Sequence, residues 1–205
     1  MNLQGLDRLP SPLWILGTDT GVGKTFVAVQ VAAAWAREAP VVYRKPLQTG
    51  VTGDGDPRAD QAAVAGPGIT VETGLTLREP LSPLAAAEAE GRNLDLAALA
   101  AWCRRPIPEG ARLLLEGAGG VMVPLWGRTP FAAWGAELDI PAFLVARGGL
   151  GTLNHTLLSA EALMMRGWRL AGVALNPGLD GSHGAARANA EILGRFLPVP
   201  VAVLE

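Results

Sequence analysis

Hydrophobic and polar positions along the 205 residues form two kinds of segment, short apolar runs and longer stretches with helical spacing. The apolar runs end at glycine, proline or one polar residue, which is typical of buried parallel strands. This pattern predicts strands at residues 13–16, 40–46, 112–115, 141–146, 170–175 and 199–204. It predicts helices at residues 26–38, 58–65, 84–90, 94–105, 130–138, 152–166 and 184–196, and irregular chain at 66–80. Strands alternating with helices indicate an α/β fold, a parallel β-sheet covered by helices on both faces. We expect an N-terminal tail at 1–12 and a single domain at 13–205.

The first predicted strand leads directly into a glycine loop, and the segment 13–25 reads L-W-I-L-G-T-D-T-G-V-G-K-T. The phosphate-loop pattern G-x-x-x-x-G-K-[ST] requires its first glycine at position 18, where Thr18 stands, and Gly17 lies one residue early. The second half of the pattern is met by Gly23, Lys24 and Thr25 at the junction between loop and helix. Loop amides at a helix N-terminus bind phosphate, the lysine reaches the outer phosphates and the hydroxyl binds Mg²⁺. The segment therefore predicts a P-loop NTPase-like fold with a nucleoside-triphosphate site.

Composition and charge exclude several classes of protein. Apolar residues make up 49% of the chain, charged residues 18%, and the net charge is −2 with scattered basic residues, which disfavours a nucleic-acid surface. No apolar run approaches the roughly 20 residues of a membrane span. Cys103 is the only cysteine, so an intrachain disulfide or a cysteine zinc site is excluded. We expect no signal peptide, and a reducing cytoplasm is the default location.

Polar residues stand where the predicted strands end. Ligands of parallel α/β sheets bind at the carboxyl ends of the strands, so these side chains belong to one hypothesis. Mg²⁺ accompanies a triphosphate and prefers hydroxyl and carboxylate oxygens, which favours Thr25, Asp60 and Glu116 as its ligands. Lys24 and Lys45 would supply positive charge for phosphoryl transfer. Asn176, with both an amide donor and an acceptor, suits the edge of a purine base.

A series of motifs makes the interpretation more specific. In order they read G-T-D-T-G-V-G-K-T, Y-R-K-P-L-Q-T-G, R-A-D, L-S-P-L-A-A, L-L-E-G-A-G-G and L-G-T-L-N-H, followed by Asn176 at a strand end. Over roughly residues 13–200 the chain resembles dethiobiotin synthetase. The resemblance implies ATP-dependent closure of the ureido ring of biotin from 7,8-diaminononanoate and CO₂, with release of dethiobiotin, ADP and phosphate. It implies Mg²⁺ as the cofactor and a homodimer as the working unit.

The resemblance also assigns roles to individual residues. Lys45 matches the active-site lysine of the family, and Lys24 matches its phosphate-loop lysine. The metal ligands are Thr25, Asp60 and Glu116. The nucleotide-binding residues are Thr20, Gly21, Val22, Gly23, Lys24, Thr25, Phe26, Glu116, Gly117, Ala118, Gly119, Asn176 and Pro177. The substrate-binding residues are Thr49 and, from the neighbouring subunit, Gly151, Thr152, Leu153 and Asn154.

Two positions depart from the family pattern. Gly21 stands where some relatives carry a glutamate. Relatives also continue beyond the position of Glu205 with a loop that reaches the base, so we expect Asn176 to be the main base contact and the choice of base to be relaxed.

Two other functions are open alternatives. Another ATP-dependent ligase of the superfamily, such as a cobyrinic acid amide synthase, would carry a glutamine-amidotransferase domain, for which this chain has neither the length nor a Cys–His pair. A partition or cell-division ATPase would have a second lysine five residues before Lys24, where Asp19 stands, and a basic patch or amphipathic tail. Both alternatives keep the nucleotide site, but in the first ATP hydrolysis would drive another ligation and in the second it would switch the binding of DNA or membrane.

Overall fold

The computed structural model describes residues 5–51, 59–179 and 181–204, with only the backbone of residues 59, 60 and 179. The strands are β1 (Leu13–Gly17), β2 (Val41–Gln48), β3 (Ile69–Thr76), β4 (Arg112–Glu116), β5 (Pro124–Trp126), β6 (Thr129–Pro130), β7 (Ala142–Arg147), β8 (Leu170–Asn176) and β9 (Val201–Val203). The helices are α1 (Lys24–Trp35), α2 (Ala59–Ala62), α3 (Pro83–Ala89), α4 (Leu96–Cys103), α5 (Phe131–Ala136), α6 (Thr152–Met164) and α7 (His183–Phe196).

Seven of the strands in the described ranges form one parallel sheet with the order β3-β2-β4-β1-β7-β8-β9. The strand before the phosphate loop, β1, is therefore the central strand, paired with β4 on one side and β7 on the other. Since all the strands run the same way, their carboxyl ends lie at one edge, where the loops can form a ligand site. The predicted parallel α/β fold is confirmed.

Each face of the sheet packs against helices because neighbouring residues of a strand point to opposite sides. Leu13 and Ile15 of β1 lie in one apolar cluster with α1. Trp14 and Leu16 lie in the other cluster, with α3 to α7. Buried residues of α1 recur every three or four positions, at Lys24, Val27, Ala28, Val31, Ala32 and Trp35, as one helix face requires. The helix thus fixes the phosphate loop on a rigid support.

Two predictions about the second quarter of the chain were wrong. Residues 66–80, predicted to be irregular, contain the edge strand β3, whose Ile69, Val71 and Leu75 alternate with polar or small residues. Strand β2 does not end at Pro46, because beyond Arg44 it pairs only with β3 and the missing N–H of proline is tolerated. The backbones of β2 and β3 come close together at Pro46, and this requires glycine at position 74: a Cβ there would lie 2.3 Å from the carbonyl oxygen of Pro46.

The described part of the N-terminal segment packs against the domain. Leu6 and Leu9 are buried, and the indole nitrogen of Trp35 donates to the carbonyl oxygen of Leu6 at 3.0 Å. Among the described residues, no helix has the length and apolar character needed to cross a membrane.

Candidate nucleotide and substrate site

The phosphate loop joins the centre of the sheet to α1. Gly23 is the N-cap residue of α1 with φ 98°, a left-handed conformation that favours glycine. The side chain of Lys24 turns back along the loop, and its Nζ donates to the carbonyl oxygen of Asp19 at 2.9 Å. This puts an ammonium group beside the helix N-terminus, where the α1 dipole also favours an anion.

Asn176 fixes the loop from the end of β8. Its Nδ2 donates to the carbonyl oxygen of Val22 at 3.1 Å, and its Oδ1 accepts from the amide of Gly178 at 3.1 Å. A Cβ at Gly23 would lie 2.2 Å from Nδ2, so glycine is required there for space as well as for φ. An amide group has two N–H donors and two acceptor lone pairs, so contact with a base remains compatible with these bonds. The base contact itself stays a prediction.

Glu116 is the centre of the site and is 1% exposed at the end of β4. Its Oε1 accepts from the hydroxyl of Thr25 at 2.8 Å and lies 3.1 Å from Nζ of Lys45. Its Oε2 accepts from the phenol hydroxyl of Tyr43 at 2.8 Å. Three different elements, α1, β2 and β4, thus meet at one carboxylate, as predicted for Thr25, Lys45 and Glu116.

The charge balance of this cluster is positive. Lys24, Lys45 and Glu116 are all buried, so two ammonium groups face one carboxylate. The pKa of the Lys24 ammonium is lowered to about 8, mainly by burial; the charge of Lys45 contributes to the shift, whereas Glu116 and Asp19 oppose it. Because the positive charges are incompletely compensated, a polyanionic ligand would stabilise them.

An open cavity of about 990 Å³ lies over the carboxyl ends of β1, β2 and β4. Predicted residues in its lining are Thr20, Gly21, Gly23, Lys24, Thr25, Phe26, Lys45, Thr49, Glu116, Gly117, Ala118 and Gly119. The cavity is large enough to hold a nucleotide together with a small substrate. The residues predicted from the P-loop, the lysine motif and the Glu-Gly-Ala-Gly-Gly motif therefore come together.

Another predicted group lies on a different part of the sheet edge. Gly151, Thr152, Leu153 and Asn154 form the start of α6 after β7, and Gly151 and Asn154 are exposed. The hydroxyl of Thr152 donates to the carbonyl oxygen of Arg147 at 2.7 Å, so this side chain fixes the turn. These residues do not contribute to the described lining of the cavity.

Of the predicted metal ligands, Thr25 and Glu116 are described, and the side chain of Asp60 lies outside the described residues. A hydroxyl oxygen 2.8 Å from a carboxylate oxygen is a donor pair that fits Mg²⁺, which takes few protein ligands and keeps water or phosphate oxygens. Within the described ranges, no group of three or more His, Cys, Asp or Glu side chains could hold a metal ion. The Thr25–Glu116 pair therefore fits a Mg²⁺ ion that also takes phosphate oxygens as ligands.

Several residues of the site were missed by the sequence analysis. Tyr43 binds Glu116, and Gln48, Val123 and the segment 80–83 line the cavity. Tyr43 could have been predicted from the sequence, because Tyr43 and Lys45 are two residues apart on one strand and so point to the same face of the sheet. For Val123 such a signal was absent, because this residue precedes the short hairpin β5–β6, which the pattern did not predict.

Comparisons with known proteins identify a family model and relatives that match most of the chain. A family model described as an AAA domain matches residues 12–203. The chain is 43% identical to the ATP-dependent dethiobiotin synthetase BioD of Anaeromyxobacter dehalogenans over 80% of this chain and 75% of the relative. It is 38% identical to the enzyme of the same name from Haloferax mediterranei over 91% of this chain and 80% of the relative. Chloroplast FtsY from Physcomitrella patens has a similar structure, with a TM-score of 0.55 and 19% identity over 94% of this chain and 57% of that one, which supports the fold alone.

Proposed function

Because the chain belongs to the dethiobiotin synthetase family, we propose that it makes dethiobiotin from 7,8-diaminononanoate and CO₂ in the cavity over β1, β2 and β4. The chain is an ATP-dependent ligase of biotin biosynthesis. The observation that carries the proposal is the meeting of Thr25 and Lys45 at Oε1 of Glu116 beside the phosphate loop. The finer chemistry, the metal, the dimer and a cytoplasmic location are parts of the proposal.

The reaction proceeds in three steps that require no side-chain nucleophile. One amine of the substrate adds to CO₂ and loses a proton, which gives a carbamate. A carbamate oxygen attacks the γ-phosphate of ATP and displaces ADP, which gives a carbamic-phosphoric anhydride. The second amine attacks the carbonyl carbon, phosphate leaves, and the ureido ring is closed. Catalysis then depends on positioning and on stabilising negative charge.

The side chains of the cavity fit these requirements. Lys24 lies along the phosphate loop, where it would contact the outer phosphates. Lys45 is held at 3.1 Å from Glu116 and can move between this carboxylate and the carbamate or the transferring phosphoryl group. Thr49 lines the same cavity and offers a hydroxyl to the substrate. Mg²⁺ bound with the nucleotide by Thr25 and Glu116, together with Asp60, would neutralise charge on the phosphates.

The homodimer completes the substrate site in this proposal. The substrate has its two amines at one end and a carboxylate at the other. The amines must lie near Lys45, whereas the start of α6, with Asn154 exposed, lies outside the cavity of its own subunit. A helix N-terminus favours a carboxylate, so the start of α6 in a second subunit would bind the far end of the substrate.

A phosphate-release assay tests the proposed function. We expect release only when Mg²⁺, ATP, bicarbonate and 7,8-diaminononanoate are all present, with dethiobiotin detected by mass spectrometry. A substrate analogue with one amine is the control for ring closure. It can be carboxylated, but it should give no cyclic product because it lacks the second nucleophile. Release from ATP alone would favour a switch ATPase. Release that depends on a carboxylic acid and an ammonia donor would favour an amide-forming ligase.

A further inference from the structure

We propose that Tyr43 is a positioning residue that holds Glu116 by one oxygen and so reserves the other oxygen for Thr25, Lys45 and the metal–nucleotide complex. The inference rests on the proposed function, because it concerns the carboxylate of the same site. Tyr43 is the only tyrosine in the chain, which allows its role to be measured directly.

The hydrogen bonds around Glu116 divide the carboxylate into two halves. Oε2 accepts from the hydroxyl of Tyr43 at 2.8 Å. Oε1 accepts from Thr25 at 2.8 Å and faces Nζ of Lys45 at 3.1 Å. Both contacts proposed to act in catalysis therefore lie on the oxygen that Tyr43 does not bind.

The sheet explains why Tyr43 can hold this position. Strand β2 lies beside β4 with Tyr43 opposite Leu114, two residues before Glu116. Tyr43 and Lys45 share a face of β2, so the phenol and the ammonium reach the same carboxylate from neighbouring positions. The ring of Tyr43 is 0% exposed and lies in the apolar cluster that includes α1. A packed ring with two side-chain torsions is a rigid support for its hydroxyl.

The hydroxyl matters because the carboxylate is buried. An ionised carboxylate that is 1% exposed depends on hydrogen bonds to both oxygens. Without the hydroxyl of Tyr43, the carboxylate can rotate and present both oxygens to the ammonium of Lys45. That rearrangement would hold Lys45 more tightly and would move Oε1 away from Thr25. Supporting partners of metal ligands commonly affect metal affinity or activity by about 10- to 100-fold.

The direct test is Tyr43→Phe, which removes the hydroxyl and keeps the ring. We expect the Mg²⁺ concentration at half-maximal rate to rise about tenfold and kcat to fall about tenfold, with KM for the diamine changed less than about twofold. Calorimetric titration of Mg²⁺ into the protein–ADP complex should show the same loss of affinity without catalysis. This second measurement separates the role of Tyr43 from the proposed function, because it holds even if the diamine is not the substrate.

The matched control is Trp35→Phe. It also removes a donor from a buried ring, the indole N–H that binds the carbonyl oxygen of Leu6, at the far end of α1. This control should lower the unfolding temperature and leave the Mg²⁺ dependence unchanged. If Tyr43→Phe behaves in the same way, with lower stability and an unchanged Mg²⁺ dependence, Tyr43 only supports the fold and the proposal is wrong.

A spectroscopic measurement has its deciding readout on the wild-type sequence, which does not depend on the folding of a variant. Biosynthetic 3-fluorotyrosine labels position 43 alone, and the ¹⁹F chemical shift reports on the hydrogen bond of the adjacent hydroxyl. We expect one resonance that changes little with ADP and moves when Mg²⁺ is added to the ADP complex. In Glu116→Gln the resonance of the free protein should be displaced and should no longer respond to Mg²⁺. A resonance that ignores Mg²⁺ in the wild-type sequence would overturn the proposal.

Discussion

Lys24 carries its charge in a place where burial limits its contact with water. Its ammonium group is buried beside that of Lys45, and the carboxylate of Glu116 compensates for only part of the charge. Burying this charge therefore destabilises the folded protein, and a bound triphosphate would offset the cost. The arrangement is what a nucleotide site requires, because charges that exist before binding need no rearrangement when the phosphates arrive.

This charge makes the free energy of unfolding depend on pH. Burial lowers the pKa of Lys24 to about 8 in the folded state, against 10.5 for the unfolded lysine. Between these values the unfolded state binds more protons, so the free energy of unfolding should rise with pH, by about 3 kcal/mol in total from Lys24. Below pH 8 both states are protonated and the cost of burying the charge is fully present.

Urea unfolding without nucleotide at pH 7.5, 9 and 10.5 would measure the effect. Lys24→Met is the matched control, because it has no titrating group at this position. We expect the difference in stability between wild type and Lys24→Met to change with pH in favour of the wild type. Saturating Mg²⁺–ATP should abolish this dependence. A difference that is constant across the pH range would mean that Lys24 is solvated and keeps an ordinary pKa.

Lys45 should contribute to rate more than to nucleotide affinity. Replacing it by alanine removes an ammonium that lies 3.1 Å from Oε1 of Glu116 beside the phosphate loop. We expect Lys45→Ala to lower kcat at least ~10²-fold while the dissociation constant of ATP changes much less. Lys45→Arg is the control for charge, and it should recover only part of the rate because the guanidinium has another shape. Equal losses in rate and affinity would assign Lys45 to ground-state binding.

Among the elements, β2 contributes to the site with one face and to the support of α4 with the other. Tyr43 and Lys45 point towards Glu116, whereas Arg44 between them points to the opposite face. Arg44 is 1% exposed and donates to the carbonyl oxygens of Cys103, Arg105 and Pro106 and to the carboxylate of Glu72. Its guanidinium thereby satisfies carbonyl groups at and beyond the end of α4.

Arg44 should contribute mainly to the free energy of unfolding, and its loss should affect the site only indirectly. Lysine at this position has one compact ammonium in place of a planar fork and cannot reach the same four acceptors. We expect Arg44→Lys to lower the free energy of unfolding by about 2–4 kcal/mol, measured by urea denaturation. Glu72→Gln is the control, since Glu72 is partly exposed and also pairs with Arg105, and it should cost less than about 1 kcal/mol. If both variants cost the same, the bonds of Arg44 to α4 contribute little.

The elements also show how far local patterns determine this structure. The continuous apolar runs of β1, β4, β7 and β8 were predictable because both faces of these strands are buried. The edge strand β3 was missed because its residues are at most half-buried and glycine and threonine interrupt its apolar residues. The continuation of β2 through Pro46 depends on where β4 ends, which is a tertiary fact that no local pattern contains.

The residues of the candidate site were predictable where a motif or a strand end identifies them, but the contacts between motifs were not. Lys45 near the end of β2 and Glu116 at the end of β4 were found because the carboxyl ends of parallel strands meet, and Lys24 was found because it belongs to the phosphate-loop motif. The use of Asn176 to hold the carbonyl oxygen of Val22 was not predicted, because the two residues are brought together only by the order of β8 and β1 in the sheet. Contacts within one motif follow from spacing, whereas contacts between motifs need the topology.

At the scale of the whole molecule, one face of α6 has no covering element among the described residues. Leu158 of α6 and its C-cap residue Met165 are exposed by 57% and 79%, and Asn154 lies one turn before Leu158 on the same side of the helix. Leu150, which precedes the N-cap Gly151, is also exposed. Residues spaced by about four positions share a helix face, so exposed apolar side chains lie beside the proposed carboxylate site. A second subunit placed on this surface would bury the apolar side chains and bring Asn154 towards a neighbouring cavity.

Complementation between two inactive variants can test whether the sites are shared. In the proposed dimer each site takes Lys45 from one subunit and Asn154 from the other. Lys45→Ala and Asn154→Ala should each be impaired alone, whereas a dimer that contains one of each has one intact site. Random pairing after joint unfolding and refolding makes half of the dimers mixed, so about a quarter of wild-type activity is expected if the sites act independently. The matched control pairs Lys45→Ala with Lys24→Ala, whose lysines belong to the same subunit's cavity, and this mixture should gain no activity. If the Lys45–Asn154 mixture also remains at the average of its two components, each subunit binds the carboxylate of the substrate by itself, and α6 has no role in a neighbouring site.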